Sequence, residues 1–190
     1  VTLAMLVASG IHPTDRLTWW MEVIWVVVGL PLVVLAWPRF PLTRLLCVLL
    51  VIHAGILILG GHYTYAQVPL GDWFREWFDL ARNHYDRLGH FAQGFVPAIL
   101  ARELLLRKTG LKPGGWLFYL CVSCALAFSA FFEMIEWWSA LIMGGAADAF
   151  LATQGDIWDT QWDMFLAMCG AILSQLLLSR LHDRELGLSR

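Results

Sequence analysis

Five stretches of this chain run for close to twenty residues with few charges, and that length decides the class of fold. They cover about Thr18 to Trp37, Leu42 to Gly60, Leu88 to Leu106, Trp116 to Ile142 and Trp162 to Leu181. A helix rises ~1.5 Å per residue, so ~20 apolar residues cross the ~30 Å hydrocarbon core of a bilayer. No ladder of ~10-residue alternating segments suggests a membrane barrel. Hydrophobic residues make up 59 % of the chain and charged residues 15 %, which takes it out of the soluble class, where apolar content is nearer ~45–50 %. The sequence predicts an all-α, polytopic transmembrane helical bundle with five full spans. No repeat, linker or low-complexity segment divides it, so residues 1–190 form a single integral membrane domain.

Two shorter elements accompany the spans. Val1 to Gly10 is apolar but too short to cross alone, and is expected to be the end of a truncated N-terminal helix or an interfacial segment. Between the second and third spans, Leu70, Trp73, Phe74, Trp77, Phe78 and Ala81 recur at helical spacing opposite Asp72, Arg75, Glu76, Asp79 and Arg82. That pattern predicts an amphipathic helix lying on the membrane surface, roofing whatever polar groups lie beneath.

The connections sort by charge. Arg39 and Arg44 lie in one, Arg102, Arg107, Lys108 and Lys112 around another, and Arg180, Arg184 and Arg190 in the tail. By the positive-inside rule these face the cytoplasm, which places the C-terminus there. The alternate connections hold Arg16, a mixed-charge segment from Gly61 to Arg87, and a loop from Met143 to Gln161 without Lys or Arg; these are expected outside. A net charge of −2, with no basic cluster interleaved with aromatics, excludes a nucleic-acid partner. Cys47, Cys121, Cys124 and Cys169 all lie in apolar runs, where thiols pack as small hydrophobes.

An ionisable group at membrane depth costs ~2.5 kcal/mol or more unless it is paired, hydrated or bound to a cation. Ten such groups fall near the outer ends of the spans: Glu22, His62, His84, Asp86, His90, Glu133, Glu136, Asp156, Asp159 and Asp163. Asp86 and His90 are four apart, Glu133 and Glu136 three apart, and Asp159 and Asp163 four apart, so each pair shares a helix face. Carboxylates and imidazoles presented in pairs from facing helices are how bundles build internal metal sites. The expected ligands are His62, His84, Asp86, His90 and Asp163, holding a divalent ion. Mixed His and carboxylate donors suit zinc, manganese or iron. Glu133, Glu136 and Asp159 are then the candidate catalytic groups, and Glu22, Trp73, Trp77 and Asp156 the candidate substrate contacts. Plainer roles compete: Asp156 and Asp159 stand where helix N-caps stand, His62 follows two glycines at a helix end, and His53, without an acidic companion, reads as core packing.

The segments Gly60-Gly-His-Tyr-Thr-Tyr65, Arg82-Asn-His-Tyr-Asp-Arg-Leu-Gly-His-Phe-Ala-Gln-Gly94, Glu133-Met-Ile-Glu-Trp-Trp138 and Gln154-Gly-Asp-Ile-Trp-Asp-Thr-Gln-Trp-Asp163 together resemble the bacterial inner-membrane YjdF family. The resemblance covers nearly the whole chain and implies a multi-pass protein of the inner, cytoplasmic membrane; it does not imply an activity. A weaker likeness runs to the VanZ-like membrane proteins, with Asp86-Arg-Leu-Gly-His-Phe91, then Glu133 or Glu136, then Asp163 with Gly170 in the places of that family's motif. Its Lys is replaced here by Arg87, and its Asn falls near Ala167.

Three functional readings follow. The first is a metal-dependent hydrolase or transferase acting on a lipid or lipid-linked envelope substrate that enters from the outer leaflet beneath the amphipathic helix. The second is a cation or proton transporter, which needs polar groups through the whole membrane; the inner halves of the third and fifth spans, residues 95–100 and 168–178, offer only Ser174 and Gln175. The third is a non-catalytic protein that binds lipid or a partner through a hydrogen-bonded polar cluster.

Overall fold

The computed structural model describes residues 1–188, with side chains for all of these except residues 146–149; Arg190 of the basic tail lies outside the described residues. Every regular element among them is helical: α1 (Thr2–Ser9), α2 (Arg16–Ala36), α3 (Arg44–Tyr63), α4 (Pro69–Trp77), α5 (Tyr85–Lys108), α6 (Gly115–Met143), α7 (Asp148–Leu151) and α8 (Asp159–Glu185), with single 3₁₀ turns at Tyr65–Gln67 and Gly144–Ala147. Side-chain caps set two of the starts. Asp15 accepts from the Thr18 amide at 2.7 Å to open α2, and Thr43 caps α3 through the Leu46 amide.

Four helices are long and apolar enough to cross a membrane: α2, α3, α6 and α8. This corrects the expected count of five. The remaining expected span lies within α5, which is too polar to qualify because it carries Asp86, Arg87, His90, Gln93, Arg102, Glu103, Arg107 and Lys108. The reason lies in its position. α5 packs most extensively on α8 and then on α6 and α3, so its neighbours meet the lipid in its place. The two helices run in the same direction, with Asp86 beside Asp163 at one end and Arg102 beside Asp183 at the other. At ~1.5 Å per residue α5 is about 36 Å long, and it traverses the same depth as α8.

Small residues let α5 and α8 approach closely. A side chain on Gly94 would collide with the backbone carbonyl of Ala167, and one on Gly170 with that of Phe91. One layer further along, Ala98, Ala125 and Ala171 of α5, α6 and α8 close the middle of the bundle. By contrast α2 packs chiefly on α3, and touches α6 through the edge-on pair Trp25–Phe128. A cavity of about 560 Å³ remains between α2, α3 and α5.

The N-terminal apolar segment forms α1 and lies on α3. The amphipathic helix exists, but α4 stops at Trp77, one turn short of the expected Ala81, where Asp79 takes a left-handed φ of 50°. Its Trp73, Phe74 and Trp77 are exposed, as a helix on a bilayer surface requires.

Candidate metal centre

Three helices converge at one end of the bundle. α5 supplies Asp86, His90 and Gln93, α6 supplies Glu133 and Glu136, and α8 supplies Asp159 and Asp163, and all seven side chains are buried. Their inward placement follows from the spacing read in sequence: residues three or four apart share a face, and in each helix that face meets the other two.

His90 is the pivot. Its Nδ1 lies 2.9 Å from Gln93 Oε1; an amide oxygen only accepts, so Nδ1 is the donor of this bond and Nε2 is left for the other side of the ring. That nitrogen faces Asp86 Oδ1 at 3.6 Å and Asp163 Oδ2 at 4.0 Å. These gaps exceed hydrogen-bond length. They are close to what a shared ion would need, since two ligand atoms each ~2.1 Å from one metal stand roughly 3–3.5 Å apart. Glu133 Oε1 lies 3.7 Å from the Nδ1 side of the ring. Two ligand triplets result, Asp86–His90–Asp163 and His90–Glu133–Glu136, each with donor atoms within 4.8 Å of one another.

Both oxygens of Glu133 and Oδ1 of Asp163 are buried without a hydrogen-bond partner. The Thr160 hydroxyl approaches Glu133 but does not reach bonding geometry. Such acceptors cost ~1–3 kcal/mol each unless something satisfies them. Glu136 is within electrostatic reach of Glu133, Asp86, Glu22 and Asp163, so the site concentrates carboxyl groups in a low-dielectric interior.

Two arginines close the site from the connecting segments. Arg82 donates to Asp159 Oδ1 at 2.5 Å and to the Ala152 carbonyl at 3.2 Å. Arg87 donates to Asp156 Oδ2 at 2.8 Å and lies over the Trp162 ring. Asn83 and Gln154 lock these segments together reciprocally, each backbone-to-amide bond being 2.9–3.0 Å. Asp159, expected to be catalytic, is therefore committed to Arg82. Asp156, expected to touch substrate, instead pairs with both arginines and accepts from the Trp158 amide at 2.9 Å, the turn that opens α8.

Several other expected members stand apart. His62 donates Nδ1 to the Ser9 carbonyl at 2.8 Å and ties α1 to α3. His84 precedes α5 and receives Arg87 Nη1 at 3.3 Å; burial, then the Arg87 and Arg82 charges, hold its pKa below the usual histidine value. Trp73 and Trp77 do not line the cavity beside the cluster. Glu22 does: it is 3 % exposed and meets Tyr65 at the cavity's polar end. His53, expected to serve core packing, also lines that cavity, with Nε2 buried and unpartnered.

Residues 1–184 match the family described as a predicted membrane protein, DUF2238. The chain belongs to this family. It is similar to the inner membrane protein YjdF of Escherichia coli (strain K12), 50 % identical over 182 residues that cover 96 % of this chain and 87 % of the relative. No solved structure matches it. With its apolar helices, this DUF2238 chain is a multi-pass integral membrane protein of the inner-membrane kind.

The DUF2238 fold also holds a second polar network, which the sequence reading missed, at the opposite end of α5 and α8. Arg102 donates to His182 Nδ1 at 2.9 Å and to Asp183 Oδ1 at 2.5 Å. His182 Nε2 donates in turn to Glu103 Oε2 at 3.0 Å. Glu103 further accepts from the Thr43 hydroxyl and from Arg107, both at 2.7 Å. Arg102 had been counted among the cytoplasmic surface charges; it is 3 % exposed. The signal available was Arg102-Glu103, which interrupts the apolar run from Val96 to Leu106, together with His182-Asp183 at the end of another.

Proposed function

We propose that this protein is a membrane-embedded, metal-dependent hydrolase or transferase acting on a lipid or lipid-linked substrate. One observation carries the reading: His90 turns Nε2 toward Asp86 and Asp163 while Glu133 keeps two buried oxygens unpartnered beside it, at the polar end of an apolar cavity. Asp86, His90 and Asp163 would hold the ion, and their donor set suits zinc, manganese or iron. A divalent cation there would polarise a phosphoryl or carbonyl oxygen and lower the pKa of bound water. Gln93 fixes the His90 tautomer, Glu133 takes a proton from the attacking water or hydroxyl with Glu136 beside it, and Arg82 and Arg87 hold Asp159 and Asp156 so that the site stays closed to bulk water.

The transport reading has less support. Between Gln93 and Arg102, a rise of ~13 Å, Ala98, Ala125 and Ala171 pack together at the bundle centre, and the buried polar side chains flanking them, Ser129, Ser174 and Gln175, are uncharged.

The test is elemental analysis of protein purified without chelators. About one zinc, manganese or iron per chain is expected, and His90→Ala and Asp163→Asn should each lower that content. Wild-type protein that stays metal-free after supplementation with all three would favour a non-catalytic, lipid- or partner-binding role.

A further inference from the structure

We propose that the cavity between α2, α3 and α5 holds a long hydrocarbon chain of the lipid substrate, with the lipid's head at His90; this rests on the lipid-enzyme reading above. The polar end of the cavity is formed by Glu22, Tyr65, Asp86, His90 and Gln93. From there it follows α2 to Ala36 and α5 to Leu104. Each path is fourteen residues, or ~21 Å of helix rise, longer than the ~15 Å that one leaflet contributes to the hydrocarbon core.

Its walls along that path include Leu30, Val33, Leu50, Val51, Leu57 and Leu100. A water-soluble substrate would gain little from such a lining, whereas a hydrocarbon chain keeps a mainly apolar surrounding, interrupted along the walls below the polar end by the ionisable His53. Access is from the bilayer, because Leu32 and Leu104 on facing walls are 60 % and 42 % exposed. This relocates the entry expected from sequence, from beneath α4 to the gap between α2 and α5.

The experiment uses the full chain in nanodiscs of phosphatidylethanolamine and phosphatidylglycerol. The probe is palmitoyl lysophosphatidic acid with a diazirine at the chain end. Photolysis should place the label on Val33, Val51 and Leu104 about tenfold above the lipid-facing Leu176 and Leu177 of α8. Gly29 lines the cavity, and a side chain there meets nothing within 4 Å, so Gly29→Trp has room to fold and should fill the groove. It should cut groove labelling about tenfold without changing metal content, and Val33→Trp one turn further on should do the same. Label spread evenly over groove and α8 would overturn the proposal. Metal-loaded protein with diffuse label sinks the groove alone; metal-free protein with concentrated label sinks the metal reading alone.

Discussion

His90 and its partners were legible in the sequence because an ionisable side chain in an apolar run demands an explanation, and Glu133 and Glu136 demand it most. Gln93 was not, because an uncharged amide raises no such alarm, although it lies three residues beyond His90 and therefore on the same face. Its role follows from one bond: by accepting from Nδ1 it leaves Nε2 free for an ion. Removing such a support typically lowers metal affinity ~10–100-fold. Gln93→Leu is therefore expected to weaken zinc binding by about that factor in competition with a chromogenic chelator, with Gln93→Glu, which can still accept from Nδ1, retaining more of it. Unchanged affinity in Gln93→Leu would show that the ring needs no fixing. Tyr65 and Arg82 were invisible for a related reason, since both act from connections whose approach to the site only the tertiary fold creates.

Among the elements, α5 shows best what apolar periodicity can and cannot give. Its extent was close to the expected span, but its character was not, because a helix enclosed by others is free to be polar on several faces. The same enclosure explains the small residues. Gly94 and Gly170 admit backbone from the facing helix where any side chain would collide, and that contact sets the separation of His90 on α5 from Asp163 on α8. Forcing a larger residue into packed space costs ~1–3 kcal/mol and often more where the obstacle is backbone. Gly94→Val should lower the melting temperature in detergent and reduce metal content together, even though Gly94 touches no candidate ligand. A variant with a lowered melting temperature and full metal content would separate the helix contact from the site. The amphipathic α4 was legible from spacing alone; its early end was not, since the left-handed turn at Asp79 leaves no mark in the hydrophobic pattern.

At the scale of the whole molecule, two buried polar networks cap a core that is apolar between them, and they differ in kind. The network at the His182 end is satisfied: Arg102, His182, Glu103, Thr43 and Arg107 each find a partner. Truncating one member of a buried ion pair typically costs ~3–5 kcal/mol, whereas replacing the pair with apolar residues is often neutral. Arg102→Met should thus destabilise strongly, and the double variant Arg102→Met with Asp183→Leu should recover part of the loss in a melting experiment; no recovery would mean that His182 and not Asp183 is the main partner. Orientation follows from the charges left over once paired groups are set aside. Arg39, Arg44, Lys108, Lys112, Arg180 and Arg184 are exposed near the His182 end, while at the other end Arg82 and Arg87 are tied up with Asp159 and Asp156. From the positive-inside rule we propose that the His182 end lies in the cytoplasm and the His90 cluster near the outer leaflet. A C-terminal fluorescent-protein fusion should be bright and a C-terminal alkaline phosphatase fusion inactive, and an impermeant maleimide should label Asp79→Cys but not Lys112→Cys in spheroplasts. The opposite labelling would turn the bundle over, leaving the metal centre intact but giving it a substrate from the cytoplasmic leaflet.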